Sequence, residues 1–364
     1  MKTLYPILTI ALLMTTCAHA DWELLSNINH AAHLASDGER LYAADRTGLY
    51  ISDDDGDTWR PTGMTHRVYC LGIGDDAVYA YTGTEFGMFR SDDRGETWAP
   101  KNAGLSKLDK EDRIDGPIYH PYINQILVTE SRMVVAVGYH TGTHVSRDRG
   151  ETWHYPYEEW VHVGPYVSTH IAFRSHTMTE FDGYLWVSAF VGFPDLYRTP
   201  DQGDTWELMP IWGGHRRALT DYGAPGDWLA HDDRLYVGAV YAFGRWDEGE
   251  LAWDDLSAGL PHEPRIAALA IHRGRIFAGL RNKGIWVFDD RSETWFPAGL
   301  PEFGVGHLIS HQDRLYATAS RSLYVLDEEQ GFYLPHSIEG IFRASIPVVN
   351  PYAKAATTWG TIKQ

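Results

Sequence analysis

The chain has 364 residues, 44% of them hydrophobic, and a formal net charge of −18 at pH 7. Such an acidic chain argues against nucleic acid or an anionic lipid surface as a general partner. Fourteen tryptophans and 21 tyrosines favour an all-β protein with aromatic side chains in its core. The length exceeds that of one simple sandwich and suits a closed repeat architecture.

The N-terminus predicts export. Residues 1–20 combine an early lysine, an apolar run at residues 4–13 and a small-x-small site before Asp21. This is the pattern of a secretory signal peptide, and we expect cleavage after Ala20 and a periplasmic or secreted protein. Cys17 leaves a lipoprotein as an alternative; with cleavage after Ala20, Cys70 is the only thiol. No later stretch approaches ~18 consecutive apolar residues, so we expect no membrane span.

An eight-residue pattern, Ser/Thr-x-Asp-x-Gly-x-Thr-Trp, occurs four times and is called the octet below. It covers residues 52–59, 91–98, 146–153 and 199–206. Ser and Asp side chains can hydrogen-bond backbone amides a few residues on, and glycine supplies the positive φ of a tight turn. Thr-Trp then resumes a strand. We therefore predict that each octet braces a β-hairpin and that its residues are structural.

The segments between the octets also repeat. An Arg-Leu-Tyr-Ala-like strand followed by a second aromatic strand occurs at residues 40–43, 78–80, 133–137, 184–187, 234–237, 275–278 and 314–317. Three degenerate octets follow at residues 247–253, 290–295 and 327–333; in the first, Ala252-Trp253 follows Asp247-Glu248-Gly249 one residue late. Seven such units predict a seven-bladed β-propeller of four-stranded antiparallel blades over residues 21–350, with residues 351–364 as a C-terminal tail.

Two segments are candidates for the strand that closes the ring. Residues 22–25 are similar to the outermost strand of the fourth unit, and residues 341–350 also have the composition of a strand. The sequence leaves both possibilities open.

The octet resembles the Asp-box, or BNR repeat, of sialidase-like β-propellers. The resemblance implies a β-propeller, and it is much less specific for any one activity. The chain also resembles the photosystem II assembly-factor family, which has a single exported ring with Asp-box-like turns. That second resemblance implies a rigid disc whose loops hold a protein partner.

The octets predict which face of the propeller carries function. They join the third and fourth strands, so the turns between the second and third strands and the loops between blades lie on the opposite face. Long inserts at residues 104–122, 154–170 and 209–228 are expected there, and binding residues concentrate on such loops. Aromatic rings beside arginine and carboxylates suit a sugar or an acidic ligand. The candidate ligand-binding residues are Arg67, Arg113, His120, Tyr122, His140, Glu158, Trp160, His162, Trp212, His215, Arg216, Tyr241 and Arg281.

Metal and cofactor sites are not expected. His140 and His144 are four residues apart, and His162, His170 and His176 follow, but this spacing is no recognised ligand motif and no cysteine lies nearby. The acidic run at residues 53–55 is too short for an EF-hand loop and lacks its terminal glutamate. We therefore predict no metal and no cofactor.

Two classes of function remain. A sialidase-like glycoside hydrolase needs an arginine triad, a Tyr–Glu pair and an acid/base Asp. The resemblance places an Arg-Ile-Pro signature before the first octet, where residues 29–34 contain no arginine, and Arg265-Ile266-Ala267 lies in another unit without the proline. We therefore favour a monomeric, non-catalytic scaffold that binds a protein or a glycan, with no catalytic residues, and keep the hydrolase as the alternative.

Overall fold

The structure is a computed structural model that describes residues 22–25, 31–105, 120, 122–129, 131, 134–138, 142–154, 161–163, 167–169, 175–190, 194–201, 205–209, 225–250 and 252–326. These residues lie in one compact unit, His19–Phe332. Every regular element among them is a β-strand. Over this part of the chain no helix is long and apolar enough to cross a membrane.

Six four-stranded antiparallel sheets form blades A to F, and within blades A to E the strands follow chain order from the inside outwards. Blade A contains β2 (His33–Ser36), β3 (Leu41–Ala44), β4 (Leu49–Ser52) and β5 (Arg60–Pro61), and blade B contains β6 (Cys70–Ile73), β7 (Val78–Tyr81), β8 (Met88–Ser91) and β9 (Ala99–Pro100). Blade C contains β15 (Ser175–Phe181), β16 (Tyr184–Phe190), β17 (Pro194–Thr199) and β18 (Glu207–Leu208). Blade D contains β19 (Pro225–His231), β20 (Arg234–Ala239), β21 (Phe243–Asp247) and β22 (Ala252–Asp255), and blade E contains β23 (Ile266–His272), β24 (Arg275–Leu280), β25 (Gly284–Asp289) and β26 (Thr294–Gly299). Blade F contains β27 (Val305–His311), β28 (Arg314–Ala319), β29 (Ser322–Leu326) and β1 (Trp22–Leu25).

The prediction of seven four-stranded blades is wrong, because the structure is a propeller with six such blades. Among the described residues, the third repeat unit contributes a three-stranded sheet of β10 (Gln125–Val128), β11 (Val134–Gly138) and β12 (Gly142–Ser146). After its octet, His154 forms an isolated bridge with Val145, and residues 155–160 lie outside the described ranges. The chain then enters the insert at residues 154–170, where β13 (Val161–Val163) and β14 (Val167–Thr169) pair only with each other.

The innermost strands of the six blades and of the three-stranded sheet contact one another in a closed circle. The first strand of the chain closes the ring. β1 pairs with β29 as the outermost strand of blade F, with Trp22 opposite Leu326, and the Trp22 indole donates a hydrogen bond to the Ala298 carbonyl of blade E at 2.9 Å. The alternative closing segment, residues 341–350, lies outside the described residues.

The predicted octet brace is confirmed by its hydrogen bonds. In the first octet, the Ser52 hydroxyl accepts from the Gly56 amide at 2.8 Å, and the Asp54 carboxylate accepts from the Thr58 amide at 2.8 Å. The Trp59 indole donates to the Gly56 carbonyl at 2.9 Å, so the ring seals the turn. Gly56 has a φ of 85°, a conformation that other residues rarely adopt.

Three of the four complete octets also fasten their own sheet to the sheet before it. The second-strand tyrosines Tyr316 and Tyr79 donate hydrogen bonds to the octet carbonyls of Asp55 and Arg149 in the next sheet. In blade A, Arg40 donates to the Arg94 octet carbonyl of blade B at 3.2 Å. The octet glycines lie on the same rings: a methyl group added at Gly150 would come within 3.1 Å of the Tyr79 ring. The octet is therefore an inter-blade contact as well as a turn.

The degenerate octet of blade D keeps its length. Arg245 pairs with Asp254 and Trp246 with Trp253, just as Arg90 pairs with Ala99 across a complete octet. The expected one-residue displacement of its tryptophan is therefore wrong. Trp246 takes the serine position, Glu248 the aspartate position and Glu250 the glycine position.

Candidate ligand-binding face

The antiparallel blades define two faces. The octet face carries the octets and the turns between first and second strands, as the ion pair of Arg40 with the octet residue Asp53 at 2.6 Å shows. The loop face, at the other end of the strands, carries the turns between second and third strands and the loops between blades. Among the described residues, three of the four exposed large hydrophobic side chains, Phe86, Tyr122 and Tyr241, belong to loop-face segments; the fourth, Leu24, lies on the outermost strand β1.

An aromatic patch, made of His66, Tyr69, Phe86 and Tyr122, occupies the loop face at blade B. The rings of His66 and Phe86 stack with centroids 4.0 Å apart, and Tyr122 meets Tyr69 edge-on at 6.4 Å. Phe86 is 38% exposed and Tyr122 is 45% exposed. Exposed rings held by other rings lose little conformational entropy on binding, so the patch can stack on an apolar or sugar surface.

A cation lies at the edge of the aromatic patch. The exposed guanidinium of Arg67 lies over the Tyr69 ring, 4.4 Å from its centroid, in a cation–π contact. Beneath the patch, burial raises the pKa of the Tyr81 hydroxyl, so this phenol stays neutral. The patch therefore offers ring faces and one positive charge to a ligand.

His120 joins the patch through the backbone. Its amide donates to the Thr84 carbonyl at 2.7 Å, which holds the end of the 104–122 insert against the turn that carries Phe86. The imidazole packs closely on Gly87: a methyl group there would come within 2.8 Å of the ring. Three predicted residues, Arg67, His120 and Tyr122, thus meet around one turn of blade B.

Two further predicted residues lie on the loop face away from the patch. Tyr241, 51% exposed, is in the second turn of blade D. Arg281, also exposed, follows β24 in the equivalent turn of blade E, where its amide donates to the Arg265 carbonyl at 3.1 Å. The structure does not bring these two side chains to the aromatic patch.

The remaining predicted residues are not tested by the structure. His162 lies in β13 opposite Ser168. Seven others fall outside the described residues: Arg113, His140, Glu158, Trp160, Trp212, His215 and Arg216. The prediction that the three long inserts share one face also rests mostly on residues outside this part of the chain.

A central cavity of about 260 Å³ is lined by the innermost strands of all six blades and of the three-stranded sheet. His33 and His307 meet there edge-on with ring centroids 4.6 Å apart. Burial lowers the pKa of His33 to about 3 and of His307 to about 4, with a smaller contribution from neighbouring positive charge, so both imidazoles are neutral at pH 7. Asp227 lines the same cavity, and desolvation raises its pKa to about 6.

His66, Tyr69 and Phe86 were not among the predicted binding residues, because most of those were taken from the long inserts. The available signal was Phe86 in the short turn after the strand at 78–80, and His66 and Tyr69 in the segment that precedes this unit. His33, Asp227 and His307 were also not predicted, because their position on the innermost strand becomes visible only once the strand register is known.

No group of three or more His, Cys, Asp or Glu side chains within the described ranges is arranged to hold a metal ion. Cys70 is buried as a free thiol, and burial raises its pKa. The rigid ring and its exposed aromatic turns define the class of protein: a β-propeller that presents short loops on one face.

The comparisons with known proteins give the family. A family model described as the DUF6242 beta propeller domain matches residues 11–210, and the chain belongs to that family. No curated protein matches the chain in sequence.

Solved structures share the fold at low sequence identity. The extracellular domain of the one-component system BT4673 from B. thetaiotaomicron is 12% identical, with a TM-score of 0.59; the match covers 85% of this chain and 40% of that one. YCF48 from Cyanidioschyzon merolae, also 12% identical with a TM-score of 0.59, is matched over 85% of this chain and 99% of its own. A structure of YCF48 bound to D1 peptide is 13% identical, with a TM-score of 0.57, over 85% and 99% of the two chains.

Proposed function

We propose that the protein is an exported, non-catalytic scaffold that binds a protein or carbohydrate ligand through its loop face. The observation that carries the proposal is the aromatic patch with Arg67 at its edge, because ring faces that remain exposed on a rigid turn are typical of recognition surfaces. The patch lies on short turns, which hold it in place before a ligand arrives.

The relatives support a binding role. One solved structure of YCF48 contains a D1 peptide, and the BT4673 match is an extracellular domain. Residues 1–20 have the pattern of a signal peptide. N-terminal sequencing of the protein from a periplasmic or culture fraction tests export: a mature chain that starts at Asp21 agrees with it, and a retained Met1 contradicts it.

Direct binding tests the loop face. Fluorescently labelled protein is applied to arrays of synthetic peptides and of glycans, and affinities for the strongest spots are measured by titration. We expect the double variant Phe86→Ser/Tyr122→Ser to lose at least about tenfold in affinity, since anchoring aromatic residues each contribute more than ~1 kcal/mol in such interfaces.

Leu24→Ser is the matched control. Leu24 is 53% exposed, like the patch residues, but lies on the outermost strand β1. Equal affinity of the patch double variant and the wild type would remove the patch from the binding surface. Release of 4-methylumbelliferone from a panel of glycosides, sialosides included, would contradict the non-catalytic part of the proposal and favour a hydrolase.

A further inference from the structure

A groove of about 610 Å³ lies on the octet face between blades C and D. It lies beside the degenerate octet of blade D, which carries Trp246 and Glu248 in place of the serine and aspartate. Its other walls are the first turns of the two blades, at residues 182–183 and 232–233. A volume of this size is within the range of ligand sites in proteins.

The groove exists because the octet no longer covers blade C. Trp186 has the second-strand position that Tyr42 and Tyr79 have in blades A and B. Its indole donates to the Phe181 carbonyl of its own blade at 3.2 Å, and not to an octet carbonyl of the next blade. At the glycine position of blade D, the Glu250 amide donates to Asp247 at 3.2 Å, whereas the Gly150 amide of a complete octet donates to Ser146 at 2.6 Å.

The arginine beside the groove changes partners for the same reason. In blade B, Arg90 donates to the Arg149 octet carbonyl at 2.6 Å. Its equivalent in blade C, Arg198, instead lies over the Tyr184 ring at 4.4 Å and pairs with Glu248 at 3.0 Å. The groove floor thus already holds one guanidinium between an aromatic ring and a carboxylate.

The charge of the groove decides what it can bind. Its lining has five carboxylates and two guanidinium groups. Arg198 is neutralised by Glu207 and Glu248, both at 3.0 Å. Asp182, Asp232 and Asp233 lie exposed on the turns at its rim, with the Asp232 side chain 82% exposed. Asp232 also faces the His231 imidazole at 3.4 Å, and Arg234 is the second guanidinium of the lining. Five carboxylates against two guanidinium groups still leave the groove with a negative charge that is open to solvent.

We propose that this groove binds a basic peptide segment of a partner protein. Its lysine or arginine side chains pair with Asp182, Asp232 and Asp233, and their aliphatic stems lie along the partly buried rings of Phe181 and Tyr184. The site is on the opposite face from the aromatic patch, so it is independent of the proposed loop-face function.

Fluorescence anisotropy with a labelled peptide of alternating lysine, arginine and serine tests the site. We expect saturable binding that weakens as salt is added, since exposed ion pairs are screened. The double variant Asp232→Asn/Asp233→Asn should bind about fivefold more weakly, given ~0.2–1 kcal/mol for each exposed pair. Asparagine tolerates the positive φ of both positions, 49° and 54°, so the turn is kept.

The control double variant Asp75→Asn/Asp313→Asn removes the same charge from the corresponding turns of blades B and F. Its affinity should stay within about twofold of the wild type. Equal weakening in both double variants would overturn the site, because overall charge would then explain the binding. Preferential binding of an uncharged oligosaccharide, or no peptide binding, would also overturn the site. A loss of peptide affinity in Phe86→Ser/Tyr122→Ser alone would overturn it as well, because the peptide would then bind to the loop face.

Discussion

The junction between blades A and B and the junction between blades C and D use the same strands differently. At the first, Gly95 of the octet of blade B packs on the Tyr42 ring, and Arg40 of blade A donates to the Arg94 octet carbonyl at 3.2 Å. At the second, the degenerate octet of blade D keeps the length of a complete octet, but Trp246 and Glu248 replace its serine and aspartate. The Trp186 indole there donates its hydrogen bond to the Phe181 carbonyl of its own blade. The replacement of the serine, aspartate and glycine of one turn by Trp246, Glu248 and Glu250 thus accompanies the change from an inter-blade contact to an open groove.

The difference separates two roles of one motif. The serine, aspartate and glycine form the hydrogen bonds of the octet turn, whereas the tryptophan packs in the core of the blade. Trp253 is 2% exposed, like Trp153 of a complete octet, and packs on Trp246 with centroids 5.2 Å apart. A blade can therefore lose the brace, keep its core and make a surface available for binding.

The largest expected effect is at the octet glycine. Gly150→Ala places a methyl group 3.1 Å from the Tyr79 ring at a φ of 82°, and we expect a loss of about 2 kcal/mol in the free energy of unfolding. Gly249→Ala, in the degenerate octet, meets only the Asp247 side chain and should cost under ~1 kcal/mol. Urea denaturation of both variants measures the difference. Equal losses would contradict the claim that complete octets brace the blades and that the degenerate octet does not.

The next effect is at the octet serine. Ser91→Ala leaves the buried Gly95 amide without the hydroxyl that accepts its proton at 2.7 Å, which should cost about 1–2 kcal/mol. The matched variant is Ser292→Ala in blade E, where the exposed hydroxyl donates to Asp289 at 2.5 Å. We expect a smaller cost there, about 0.5 kcal/mol, because the Asp289 carboxylate keeps its hydrogen bond from the Ser292 amide at 3.2 Å. Thermal unfolding of the pair ranks them, and the reverse order would refute the assignment.

The smallest effect is a pH dependence of stability. Hydrogen bonds from Thr97 and Ser91 lower the pKa of Asp93 from 3.8 to about 2. A lowered pKa means that the carboxylate stabilises the fold above pH 4 and that this contribution is lost as pH falls towards 2. Denaturation of the wild type and Asp93→Asn across this range should show the two curves converging at low pH; parallel curves would contradict the effect.

The central carboxyl should behave in the opposite way. Because desolvation raises the pKa of Asp227 to about 6, ionisation opposes folding. The wild type should therefore lose stability relative to Asp227→Asn as pH rises from about 4 through 6. The backbone amides of Leu269 and Trp228 donate hydrogen bonds to the Asp227 carboxylate at 2.8 and 2.9 Å. The change in these hydrogen bonds in Asp227→Asn sets a pH-independent offset in stability between the two proteins. A difference that is constant with pH would contradict the raised pKa.

The sequence predicted the octet brace because its hydrogen bonds are local, running from Ser52 and Asp54 to amides four residues on. It predicted the repeating strands for the same reason, but it counted a four-stranded blade in the third unit, where the described residues form a three-stranded sheet and one bridge at His154. The sequence predicted Tyr122 of the aromatic patch but not Tyr69, because the two residues are 53 positions apart and meet only in the folded ring. The groove depends on the register of Trp246 with Trp253, which spacing alone assigned wrongly.

Residue-resolved amide hydrogen exchange tests the comparison most directly. In the complete octets, the amides of Gly56, Gly95 and Gly150 are buried and donate to serine hydroxyls at 2.6 to 2.8 Å. We predict that these three exchange only as slowly as the core strands open, whereas the exposed amides of Gly249 and Glu250, which donate to Asp247 at 2.9 and 3.2 Å, exchange much faster. Equal protection of the two groups would contradict the distinction between a braced and an unbraced junction.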